Sequence, residues 1–143
     1  MRILLAPSVD RAAIDRAGME AGWPLVNIFA RTQTRPRQVI FGDSEWLLTF
    51  VWDHRVDARY AVLDGHDVDT LGAQLRGALP TLSLDDVRAM LETDRIRAIC
   101  WLGIVGPPTP DPEIRRILDE ALTSSDERIR DAAAFAEEAL DWP

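Results

Sequence analysis

An internal repeat in the C-terminal half is the feature that most constrains this chain. Residues 95–103 recur in outline at residues 128–136, an offset of about 33 residues that is typical of stacked helical repeats. Between the two copies, residues 111–114 (DPEI) have the features of a helix start. They supply a capping carboxylate and a proline at the first helical position, where a missing N–H costs nothing. The sequence therefore predicts three helices joined by short turns.

The last two of these helices resemble a known family. Residues 126–140, DERIRDAAAFAEEAL, resemble the acidic start, aliphatic-arginine step and alanine run of HEAT-like repeats, of the short bacterial kind related to phycobilisome-lyase repeats. Residues 111–122, DPEIRRILDEAL, resemble the second helix of that family. The resemblance extends over residues 94–140, and no family is recognised in the N-terminal part. It implies antiparallel helices and protein–protein interaction, and it implies no particular chemistry.

The N-terminal half alternates between short apolar runs and turn residues. Strands are predicted at residues 3–6, 25–32, 38–41, 45–52 and 58–63, with a helix between the first two strands that ends near Gly22. Both faces of residues 45–52 are largely apolar, which is typical of a central strand. The run of strands with short connections predicts a β-meander.

Helix signals follow these strands. Apolar residues at helical spacing lead to Pro80, Ser83 begins a capping box, and Thr93 or Asp94 caps the next helix. We therefore expect an α+β fold, with an N-terminal antiparallel β-meander and flanking helices, and C-terminal HEAT-like antiparallel helices packed on it. At 143 residues with five tryptophans, we expect one compact domain, made of an α/β part (1–80) and a helical part (81–143).

The formal charge of −8 is unevenly distributed along the chain. Residues 1–79 hold nine arginines and ten acidic residues, whereas residues 80–143 hold seven arginines and fourteen acidic residues. Such an acidic half disfavours nucleic acids and anionic membranes, and it favours a protein partner with a basic surface. The simpler alternative is that acidic side chains only maintain solubility.

All 16 basic residues are arginine, which excludes Schiff-base chemistry and the lysine-dependent phosphate sites of P-loop and kinase proteins. With much alanine, this usage also suggests a GC-rich bacterial genome. The single Cys100 can form neither an internal disulfide nor a multi-cysteine zinc site. No apolar run is long enough for a membrane span, and the apolar N-terminal residues are too few for a signal peptide. We expect a cytoplasmic protein without a cofactor.

Two short segments combine a histidine with carboxylates. At a predicted hairpin tip, His54 lies between Asp53 and Asp57, where an imidazole can act as a general base or share a metal. The alternative is a solvated turn made of turn-forming residues. The second segment, residues 64–69, holds His66 among aspartates, and the two histidines would meet if the tip folded towards it. Helix capping explains its aspartates more simply.

The last predicted helix has two different faces. Its alanines share one face at helical spacing, whereas Glu127, Asp131 and Glu138 line up on the opposite side as an acidic stripe. Phe135 falls between the two faces and is a candidate anchor for a basic, partly apolar partner. The alternative is an ordinary solvated helix face. Arg55, at the hairpin tip, is a second candidate for contact with a partner.

These features support two functional hypotheses. The leading one is a small acidic intracellular protein–protein interaction module, either an adaptor or an immunity or inhibitor protein of a bacterial toxin or defence system. The alternative is a metal-dependent hydrolase-type enzyme that uses Asp53, His54 and His66. Three tryptophans are predicted to lie in the core, and the exposure of Trp23 and Trp142 is left open.

Overall fold

The computed structural model describes residues 1–142, and the chain divides into two compact units, Met1–Leu82 and a second unit that begins at Ser83. The strands are β1 (Arg2–Leu5), β2 (Leu25–Phe29), β3 (Arg37–Gly42), β4 (Trp46–Asp53), β5 (Ala58–Gly65) and β6 (Thr81–Leu82). The helices are α1 (Arg11–Ala21), α2 (Val68–Ala78), α3 (Leu84–Met90), α4 (Arg95–Val105), α5 (Pro112–Leu122) and α6 (Glu127–Leu140). The predicted α+β class is confirmed.

The sheet of the first unit has the order β2-β3-β4-β5-β1-β6, and all neighbouring strands are antiparallel. The predicted meander from β2 to β5 is confirmed, with β4 paired along its length to β3 and β5. Strand β1 pairs with β5, and the unpredicted β6 pairs with β1. A strand of two residues is too short to show alternation, which is why the sequence did not indicate it.

Helices α1 and α2 share one apolar core with the sheet. Asp10 caps α1 by accepting a hydrogen bond from Ala13 N–H (2.8 Å), and Gly22 ends the helix in the left-handed conformation (φ 71°). Burial of each large apolar side chain in such a core contributes about 1.5–3 kcal/mol. The core contains Ile3, Leu5, Ile14, Ala17, Val39, Phe41, Leu48, Phe50, Leu63, Leu71 and Leu75, and Trp46 and Trp52 pack partly buried against it.

The helices of the second unit begin where the sequence predicts. Ser83 and Asp86 form the expected capping box, and Asp94, Asp111 and Asp126 cap α4, α5 and α6 through their carboxylates. Helix α4 is buried along most of its length, and α6 packs against both α4 and α5. None of the helices within residues 1–142 is long and apolar enough to cross a membrane.

The tryptophans whose exposure was left open have different environments. Trp23 is 7% exposed and lies near Phe41 in an edge-to-face arrangement, with ring centroids 6.2 Å apart. Trp142 is half-buried, its indole N–H donates to the carbonyl of Pro107 (2.9 Å), and the Arg115 guanidinium lies 5.4 Å from its ring centroid. Both side chains therefore have partners inside their own units.

Candidate functional site

Exposed carboxylates follow the outward side of α6. Glu127, Asp131 and Glu138 are all exposed, whereas three alanines on the other side of the helix are buried. Within residues 1–142, none of these three carboxylates takes part in an ion pair or a side-chain hydrogen bond. We call this set the acidic stripe. It has the exposure that the sequence predicted, and its charge is not neutralised by neighbouring side chains.

The other carboxylates near α6 are already engaged. Glu137 faces Arg115 of α5, with 3.4 Å between the carboxylate and the guanidinium. Asp126 accepts hydrogen bonds from the Arg128 side chain and backbone amide, and these bonds lower the pKa of Asp126. The acidic stripe is therefore distinct from the carboxylates that hold the helices together.

Phe135 is partly buried, between the two faces of α6, as the helical spacing predicted. The buried part of the ring is held in place by helix packing, and the exposed part offers apolar area for contact with a partner. Aromatic side chains are enriched in protein interfaces, and polar side chains form the solvent-accessible rim around them. The structure thus brings four of the five predicted contact residues together on one helix, and Arg55 is elsewhere.

Arg55 lies at the tip of the β4–β5 hairpin, where it binds Asp53. The carboxylate of Asp53 is buried (1% exposed) and accepts from Nε (2.8 Å), a terminal guanidinium nitrogen (2.6 Å) and the backbone amide (3.1 Å) of Arg55. Burial raises the pKa of Asp53, but the hydrogen bonds from Arg55 outweigh it, and the pKa is lowered from its usual value. The side chain of Arg55 is half exposed and already engaged in this ion pair.

The two histidines do not approach each other. In the β4–β5 register, Asp53 lies opposite Ala58 at one end of the hairpin, and Trp46 lies opposite Gly65 at the other. At about 3.3 Å per residue, the length of β4 between these two ends separates His54 from His66 by more than about 20 Å. The condition under which they could meet is not fulfilled, because antiparallel pairing places the hairpin tip at the end of the hairpin opposite to the segment that follows β5. Asp53, His54 and His66 do not form one site.

The described part of the chain contains no group of three or more histidine, cysteine, aspartate or glutamate side chains placed to hold a metal ion. The segment after β5 has structural roles instead. The backbone N–H of His66 donates to the Glu45 carbonyl (2.9 Å). Asp67 occupies the cap position of α2 as predicted, but in the left-handed conformation (φ 54°) and without a side-chain capping bond.

A cleft in the second unit was not indicated by the sequence. It has a volume of about 430 Å³, and three arginines and three glutamates line it together with Leu91 and Ile117. Two of its ion pairs are already formed, Arg88 with Glu113 (2.9 Å) and Arg116 with Glu120 (2.6 Å). Because its formal charges cancel, this cleft selects less strongly by charge than the acidic stripe.

No family model matches the sequence, and no curated protein or solved structure does so either. The HEAT-like resemblance of residues 94–140 therefore stays a prediction. Any functional conclusion depends on the surfaces described above.

Proposed function

We propose that this chain is a protein–protein interaction module whose acidic stripe binds a partner with a basic surface. The observation that carries the proposal is the set of three exposed carboxylates on one face of α6, without a neutralising side chain in the described range. They belong to the unit that holds most of the negative charge of the chain. Such a field accelerates encounter with a basic partner and fixes its orientation, and Phe135 supplies apolar contact area.

In its finer form, the proposal is that α4 to α6 form HEAT-like repeats and that the chain acts as an adaptor or as an inhibitor in a bacterial toxin or defence system. Its acidic charge supports this form for a target whose functional surface is basic, because complementary charges speed association and fix the orientation of the partners. The hydrolase hypothesis lacks comparable support, since Asp53 is engaged with Arg55 and His66 lies at the far end of the hairpin.

Reversing two charges of the stripe tests the proposal. We expect Asp131→Arg combined with Glu138→Arg to leave the melting temperature nearly unchanged, because exposed charges contribute at most about 1 kcal/mol. Association with the partner should become about tenfold slower at low salt and should depend less on ionic strength. The pair omits Glu127, whose carboxylate lies in the first turn of α6 and stabilises the helix start. Stopped-flow or surface-plasmon measurements over a salt series provide the rates.

The partner is obtained by quantitative affinity capture from the source organism with three baits. These are the unmodified chain, the stripe-reversed variant, and a control with Asp64→Arg and Asp119→Arg, two exposed carboxylates outside α6. The control makes the same change in net charge. A protein retained by the first and third baits and lost from the second is the expected partner, and its purified form enters the rate measurements. Equal association rates for all three baits would reject the acidic stripe as the interface.

A further inference from the structure

Strand β2 lies at one edge of the sheet and exposes apolar side chains along that edge. Leu25, Val26 and Ile28 are 53%, 54% and 45% exposed. No charged residue occurs from residue 21 to residue 30, and β2 itself contains no proline. Edge strands are normally protected by charges or proline, because their free N–H and C=O groups can pair with another strand. Strand β2 lacks both of these devices.

The backbone of β2 has one protective device, a β-bulge that interrupts its pairing with β3 between Leu25 and Asn27. From Asn27 to Phe29 the pairing with β3 is regular, so this part of β2 presents an ordinary strand edge. The N–H of Ile28 donates to the side-chain oxygen of the preceding Asn27 (2.8 Å), a bond within β2 itself. A backbone carbonyl of an incoming strand can replace that side-chain amide at little cost, since one hydrogen bond is exchanged for another. The edge can therefore accept a further strand.

The two ends of this edge have opposite charges, and this distribution indicates which strand can pair with β2. Six exposed side chains carry these charges. The turn that leaves β2 and enters β3 holds arginines, whereas the end of α1 and the β3–β4 turn hold carboxylates. The basic end contains Arg31, Arg35 and Arg37, and the acidic end contains Glu20, Asp43 and Glu45. An antiparallel second copy places each basic end beside an acidic end, whereas a parallel copy places like charges together.

We propose that two copies of this chain pair through β2 in an antiparallel dimer, around a two-fold axis at Asn27. In this register, Val26 faces Ile28 of the partner subunit. Such a self-complementary contact is the commonest form of protein dimer. It joins the two sheets into one and covers the exposed apolar side chains of both edges. The dimer goes beyond the proposed function and does not depend on it.

The pairing within each sheet supports the same arrangement. Leu25 lies opposite Phe41, and Ile28 lies opposite Val39. Phe41 and Val39 are buried in the core beneath α1 and α2. Directly opposite residues of antiparallel strands point to the same face, so the side chains of Leu25 and Ile28 extend the apolar face of the sheet to its edge. A second copy continues that face across the two-fold axis.

The dimer is tested first by mass. We expect sedimentation or light scattering to give a dimer at micromolar concentration, and Val26→Arg to give a folded monomer whose melting temperature does not depend on protein concentration. Leu47→Arg is the matched control, because Leu47 is 41% exposed but lies on β4, two strands from the edge. This variant should stay dimeric. An unmodified chain that is monomeric, or a dimer that persists in Val26→Arg, would overturn the proposal.

Cysteine cross-linking locates the axis. Across an antiparallel pair, opposite Cα atoms are about 4.5–5.5 Å apart, which suits a disulfide. Asn27 alone faces its own copy, so Asn27→Cys should form a covalent dimer about tenfold faster than Val26→Cys or Ile28→Cys under mild oxidation. The natural Cys100 is buried, so the unmodified chain serves as the blank. Absence of a fast cross-link at all three positions would contradict pairing through β2.

A charge exchange tests the orientation. Glu20→Arg and Arg31→Glu should each raise the dissociation constant of the dimer. At each end of the interface, either change places a side chain of one copy beside a side chain of the same charge from the other copy. The chain that carries both changes restores opposite signs and should recover most of the affinity. If the double variant dissociates as readily as the single ones, the antiparallel charge pairing is refuted.

Discussion

Gly103→Ala should lower the free energy of unfolding of the helical unit by about 1–3 kcal/mol, although alanine stabilises most helices relative to glycine. Gly103 lies in α4 at its contact with α6. A Cβ atom at this position would be 2.7 Å from the Cα atom of Ala136 and 3.1 Å from the Cβ atom of Ala139. Backbone atoms of α6 cannot turn aside as a flexible side chain does. The two helices would have to separate, with loss of packing along both.

Gly77 supplies the matched control, because it lies in α2 and a Cβ atom added there has no neighbour within 4 Å. Gly77→Ala should stabilise the chain by up to about 1 kcal/mol, since alanine loses less conformational entropy on folding. Urea unfolding of the two variants and the unmodified chain, followed by circular dichroism, measures the change in unfolding free energy caused by each substitution. Stabilisation by both substitutions would show that α4 and α6 are not in close backbone contact.

Local signals in the sequence were sufficient to predict where the helices begin. Ser83 and Asp111 were each predicted as caps, and each accepts the expected hydrogen bond from a first-turn amide. Capping depends on residues within three positions of each other, so no knowledge of the tertiary structure is needed. The acidic stripe on α6 was predictable for the same reason, because helical periodicity fixes which side chains share a face.

Strand exposure was not predictable in this way. Residues 25–32 were predicted as a strand, but β2 lies at the sheet edge and three of its apolar side chains are exposed. Period-two patterning shows that a strand exists and does not show its position in the sheet. Burial of Trp23 was undecided for a similar reason. Its neighbours Phe41 and Phe50 come from strands distant in sequence.

The two histidines are separated for a reason that the sequence already contained. Two adjacent antiparallel strands were predicted on either side of His54, and that pairing alone places His54 at the tip and His66 beyond the opposite end. The role of Asp53 could not be predicted, because a short polar segment is typical of a solvated turn. Its burial depends on the packing around the end of β4, which no local pattern indicates.

The second large effect is expected at that ion pair. Arg55→Ala should cost about 3 kcal/mol at neutral pH, because it leaves the buried carboxylate of Asp53 without its charged partner. Asp53→Asn should cost less, about 1 kcal/mol, because the half-exposed Arg55 can be hydrated and asparagine keeps an acceptor for the Arg55 backbone amide. Adding Arg55→Ala to Asp53→Asn should then change little, since the carboxylate that needs the guanidinium is already absent.

The pH dependence of the same variants separates loss of the ion pair from simple loss of packing. In the unmodified chain the folded-state pKa of Asp53 is lowered, so its contribution to stability is present above the unfolded-state pKa of about 3.9 and disappears as pH falls through the folded-state value. In Arg55→Ala, burial without the guanidinium should raise that folded-state pKa instead. The carboxylate then destabilises the fold at neutral pH, and protonation relieves this as pH falls.

The difference in unfolding free energy between Arg55→Ala and the unmodified chain should therefore shrink from pH 7 to pH 4. A difference that stays constant over this range would assign the effect of Arg55 to contacts of its side chain other than the charge on Asp53.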